Sequence, residues 1–169
     1  MSVRSPAVPS SALGRGFCAV VAGASIPMAL LVPLWITAGR MLVGTDGQLV
    51  AVFALTAGPV LAVLMLTAAV KITVAAFTRR PFGAPLGTSL LLLANYVLAG
   101  AFGFFVPDFG APEAGSVFSS LAGPEVLGYS AALANPFGIA TLMVTVAALV
   151  SAVRVSRSVT PEHHPAAGM

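Results

Sequence analysis

Charge is what this sequence lacks most. Only 8% of its 169 residues are Asp, Glu, Lys or Arg, against about 25% in soluble domains. So few charges cannot cover a water-facing surface, and a soluble globule is excluded. Histidine is confined to His163 and His164 near the C-terminus. No imidazole is left in the apolar stretches to hold a haem or to serve as a general base. Cysteine occurs once, as Cys18, which excludes an internal disulfide and a thiolate cluster; within its apolar run it reads as a small packing residue. The P-loop, GxGxxG, GxSxG and HExxH signatures are missing as well. These absences argue against an enzyme and against any bound metal or cofactor.

What is present is apolar surface. Hydrophobic residues make up 58% of the chain and the mean hydropathy is +1.00, the composition of an integral membrane protein. The length allows three to five spans of about 20 residues each. A net charge of +3 and a pI near 9.8 do not indicate nucleic acid, because the basic residues sit singly or in one pair at the ends of apolar runs. Membrane lipids and other membrane subunits are the partners this composition fits. Seven of the eight basic residues, all but Lys71, are arginine in a chain rich in Ala, Gly, Val and Pro. That bias suggests GC-rich coding and, with it, a bacterial inner (plasma) membrane.

Four spans follow from the apolar runs, at about 17–38, 49–77, 86–106 and 129–153. The fold expected is an all-α four-transmembrane-helix bundle. Residues 1–16 and 154–169 are polar tails, and 107–128 is the longest loop, with an apolar patch at Val117–Leu121 suited to a half-turn at a membrane surface. The first run is too long for the roughly 7–15-residue core of a cleaved signal peptide. Between the second and third spans lies a basic turn with Arg79 and Arg80. Placing that turn in the cytoplasm puts every basic residue but Arg40 inside, in keeping with the positive-inside bias, and makes both termini cytoplasmic. Arg79 and Arg80 are then topology anchors. Asp46, Asp108, Glu113 and Glu125 fall outside as solvated loop charges, too dispersed to bind a cation.

Within the spans, polar groups are few. Pro27, Pro33, Pro59 and Pro136 each remove a helix hydrogen bond and free the carbonyls of Gly23, Ala29, Leu55 and Ala132. Pro27, Pro59 and Asn95 all fall near the midplane, where broken helices can build a polar site; lipid-embedded helices also tolerate proline with no such role. Asn95 and Asn135 differ in depth by about 7 Å, too much for a direct bond. Each is expected to pair with a freed carbonyl or with a hydroxyl such as Thr56 or Tyr96. Lys71 is the one charge in the interior of a run, read either as an interfacial lysine or as a contact for an anionic lipid or a partner's acid. Ser130, Ala134 and Gly138 recur every four residues, a face for close helix packing within the chain or against a partner.

These features favour a non-enzymatic membrane subunit that docks into or stabilises a larger complex. The alternative is a small oligomeric transporter or channel with its pathway at the proline and asparagine level. A lipid- or quinone-acting enzyme would need a nucleophile or base that the spans do not contain.

Overall fold

The computed structural model describes residues 11–44, 47–109 and 115–158. Arg4, Asp46, Glu113, Glu162 and both histidines lie outside them, as do residues 1–10 and 159–169 of the tails. Six α-helices follow in order: α1 (Ala12–Ala38), α2 (Gln48–Leu55), α3 (Ala57–Phe77), α4 (Leu86–Phe105), α5 (Val117–Ala122) and α6 (Leu127–Arg157). No strand occurs among the described residues. Four helical segments, built on α1, α3, α4 and α6, are long and apolar enough to cross a membrane.

The helix limits differ from those expected, for local reasons. α1 begins at Ala12, five residues before Phe17, because the Ser11 side chain accepts the Gly14 N–H at 3.2 Å and caps the first turn. Beyond Ala38 the chain tightens into a 3-10 turn, Gly39–Val43, closed by Gly44 in the left-handed region at φ 68°. The second run is not one helix. It breaks at Thr56 (φ −125°, ψ −91°), beside the Leu55 carbonyl that Pro59 cannot serve; the Thr56 hydroxyl bonds back to the Val52 carbonyl. α6 continues through Arg154 to Arg157, residues placed in the tail by composition alone. The long loop also folds: Ser116 and Ser119 form a reciprocal capping box that starts α5, and Val117 is buried.

The four long apolar helices close a ring in which α1 touches α3 and α4, and α6 touches α3 and α4. Small residues fill its interior. Ala22, Ala68, Ala76, Ala148 and Ala152 surround Ile72 and Leu92 near one end, and Ala29, Ala69 and Ala99 pack with Ile36 and Met65 nearer the other. Large side chains such as Leu30, Leu34, Val63, Ile139 and Met143 point outward. This small-inside, large-outside order suits helices that associate by close backbone approach. Trp35 ties α1 to α4 by donating its indole N–H to the Gly100 carbonyl at 3.1 Å.

Candidate functional site

At the end of the bundle that carries the α4–α5 loop, three segments converge on one carboxylate. Asp108 accepts the backbone N–H groups of Gly47 and Leu49, both at 2.9 Å, and of Phe109 at 2.7 Å. It thereby does for α2 what a neighbouring Ser or Asp does at most helix starts, since Gly47 at the cap has no side chain to offer. A Cβ on Gly47 would fall on the carboxylate itself. Arg40 donates from Nη1 to Asp108 Oδ2 at 3.2 Å, and both side chains are almost wholly buried, at 2% and 0% exposure. The guanidinium also lies 5.9 Å from the Phe53 ring centre. Burial alone would raise the Asp108 carboxyl, yet the Leu49, Gly47 and Phe109 N–H groups and then the Arg40 charge hold it below the usual carboxylate range. Asp108 is therefore not the solvated loop charge expected for it. Arg40, the exception to the charge count, is neutralised by a carboxylate far away in sequence.

The midplane group does not assemble. Asn95 is 1% exposed, and its side-chain amide is hydrogen-bonded at 2.8 Å to the Thr145 hydroxyl on α6, which also reaches the Thr141 carbonyl at 2.8 Å. Pro27 and Pro59 are exposed on the outside of the ring. Pro27 and Asn95 face different ways, and Pro59 is not at their level: the apolar span begins at Ala57 rather than Leu49, which leaves Pro59 in the first turn of α3, next to Gly58 that abuts Thr37 at the end of α1. A hydroxyl does satisfy Asn95, as expected, but it belongs to Thr145 rather than Thr56 or Tyr96. Ser89 Oγ and Tyr96 Oη are buried without a hydrogen-bond partner among the described residues.

Ser130, Ala134 and Gly138 face inward. Ser130 Oγ lies 2.6 Å from the Phe105 carbonyl and 2.6 Å from Ser116 Oγ. With one proton to give, it donates to the carbonyl and accepts from Ser116. Ala134 is buried, and a Cβ on Gly138 would come within 2.9 Å of the Phe102 ring. The same face continues through Thr141 and Thr145, both buried. The flank of α6 beside this face shows Gly128, Ala131 and Asn135 to the outside, and the Asn135 amide has no hydrogen bond among the described residues. Spacing alone could not tell which of two small-residue faces turns outward.

At the other end, the basic turn packs back on α1. Ala84 N–H approaches the Cys18 carbonyl at 3.5 Å, and Cys18 is fully buried. Arg79 is half-buried and Arg80 exposed, while Lys71 lies half-buried along the outer face of α3. A mainly apolar cavity of about 270 Å³ opens between α3 and α6, lined by Gly58, Leu61, Phe102, Gly138 and Leu142 among others. Among the described residues no three of His, Cys, Asp or Glu come together.

Comparison with protein-family models, with curated proteins and with solved structures finds no match.

Proposed function

We propose that this chain is a non-enzymatic integral membrane subunit, with four spans and both termini in the cytoplasm, that docks into a larger membrane complex through the outer face of α6. A bacterial inner membrane is the proposed location. Asn135 carries the reading. An amide exposed to lipid and unbonded costs free energy, on the order of 1–3 kcal/mol by protein mutational data, which a partner helix removes by bonding it. Ala131 and Gly128, one and two turns away on the same side, leave room for that helix to approach. The topology rests on the positive-inside bias together with Arg15, Lys71, Arg79, Arg80, Arg154 and Arg157, which the described helices carry toward the end of the bundle away from Arg40. The carboxylate of Asp108 and the guanidinium of Arg40 meet at the other side, where a lone arginine would run against the charge bias.

A pathway through the single chain has little to support it, since Asn95 is bonded to Thr145 and the prolines point away from it. A transporter would then have to form its route between copies. Native mass spectrometry from mild detergent tests the subunit reading. The expected particle exceeds the 17.0 kDa of one chain and contains a second, different polypeptide in fixed ratio, and Asn135→Leu releases it. A monodisperse single chain contradicts the reading, and a particle of identical copies favours the transporter.

A further inference from the structure

We propose that Lys71 and the groove beside it hold an anionic phospholipid of the cytoplasmic leaflet. The inference rests on the membrane placement above but not on the docking face, which lies on α6.

Lys71 is the charged residue whose depth topology does not explain. In the described spanning helices Arg15 lies in the first turn of α1, and Arg154 and Arg157 lie in the last turn of α6. Lys71 instead sits six residues before the end of α3, about 9 Å inside it. The described carboxylates cannot reach it, because Asp108 is engaged with Arg40 and Glu125 is in the 3-10 turn preceding α6, at the same far end. Beside Lys71 the outer face of α3 forms a shallow, open groove lined by Val63, Leu66, Thr67 and Val70 of the same helix. The Thr67 hydroxyl is committed to the Val63 carbonyl at 2.7 Å, so the ammonium supplies the groove's polarity. From Val63 to Lys71 the groove extends about 12 Å along the helix.

A cation at one end of an open apolar helix face matches one class of ligand in a bilayer: a phosphate diester with an acyl chain running toward the midplane. The lysine stem reaches toward the headgroups, and the exposed Arg80 in the following turn adds positive charge at the same end. A zwitterionic lipid carries its own ammonium or choline beside the phosphate, which competes with Lys71. A net-negative headgroup does not.

Reconstitution in nanodiscs of equimolar phosphatidylglycerol and phosphatidylcholine, with trace spin-labelled analogues of each, reads the selectivity directly. The wild type is expected to favour phosphatidylglycerol about fivefold, the factor one basic residue contributes at an anionic surface. Lys71→Met is expected to bring the ratio to about one, and Lys71→Arg to keep it. Thr67→Trp, which fills the groove and leaves the charge in place, is expected to lower it too, and it serves if Lys71→Met does not fold. Unchanged selectivity in Lys71→Met or in Thr67→Trp overturns the proposal. So does loss of selectivity in Arg80→Gln alone. If Lys71→Met keeps its lipids but sheds a bound polypeptide, the lysine meets an acid on a partner and the proposal fails, while the subunit reading stands.

Discussion

The Asp108 carboxylate accepts the Leu49 backbone N–H at 2.9 Å across 59 residues of chain, so the loop after α4 caps the start of α2. The same carboxylate holds Arg40 at the end of α1, and one side chain ties together three segments that local sequence leaves separate. Asp108→Ala is expected to cost about 3–5 kcal/mol, since it strands the buried Arg40 charge as well as removing the cap. Replacing both partners, with Arg40→Met and Asp108→Leu, is expected to cost less than the sum of the single changes. Denaturation in detergent, followed by circular dichroism, measures all three.

The pH dependence has a definite sign. Asp108 titrates lower in the folded chain than in the unfolded one, where an aspartate has a pKa of about 3.9. Its contribution is therefore present in full above about pH 4 and is lost as pH falls through the lower, folded value. Wild-type thermal stability is expected to drop more steeply with acid than that of Asp108→Asn, which has no proton to take up at that position. Parallel curves for the two proteins would show that the carboxylate's charge does not matter.

The Asn95–Thr145 pair is expected to act as a packing contact. Thr145→Val removes the 2.8 Å bond and is expected to lower stability by about 0.6 kcal/mol, with about 1.7 as the upper end for such bonds in membrane helices. In a Cys18→Ser background, a cysteine at position 95 is expected to resist a water-soluble maleimide. Rapid labelling there would reopen the midplane as an aqueous route.

The two small-residue faces of α6 are expected to separate stability from association. Gly138→Leu drives a side chain into the Phe102 ring and is expected to destabilise the bundle by about 1–3 kcal/mol with the partner still bound. Asn135→Leu is expected to leave the melting temperature near the wild-type value and to lose the partner. Melting curves and particle mass, read on the same samples, distinguish the two.

Composition and run length were enough to expect four apolar helices, because a span must be long and uncharged whatever its neighbours. Rotation about each helix axis was not legible in the same way. A run counted from Leu49 puts Pro59 level with Pro27 and Asn95, whereas α3 starts at Ala57 and leaves Pro59 in its first turn; which of Pro27 and Asn95 faces the interior depends on where Ala22, Ala29 and Ala99 let neighbouring helices approach. The α2–α3 break was half visible: Pro59 marks the freed Leu55 carbonyl, whereas the cut at Thr56 depends on local backbone angles. The Arg40–Asp108 pair was hidden for another reason. Nothing local distinguishes a loop aspartate that will cap a distant helix from one that water will solvate. The one trace was Arg40 itself, the basic residue that the charge count left on the wrong side.

Under the proposed function the outward flank of α6, and not its inner face, meets another polypeptide. Site-specific photocrosslinking in native membranes reads that contact, with a photoreactive residue placed in turn at positions 131, 135 and 134. The expected result is a single crosslinked protein product from 131 and 135, and only intrachain product from 134. Lipid adducts alone at 131 and 135 would contradict the claim.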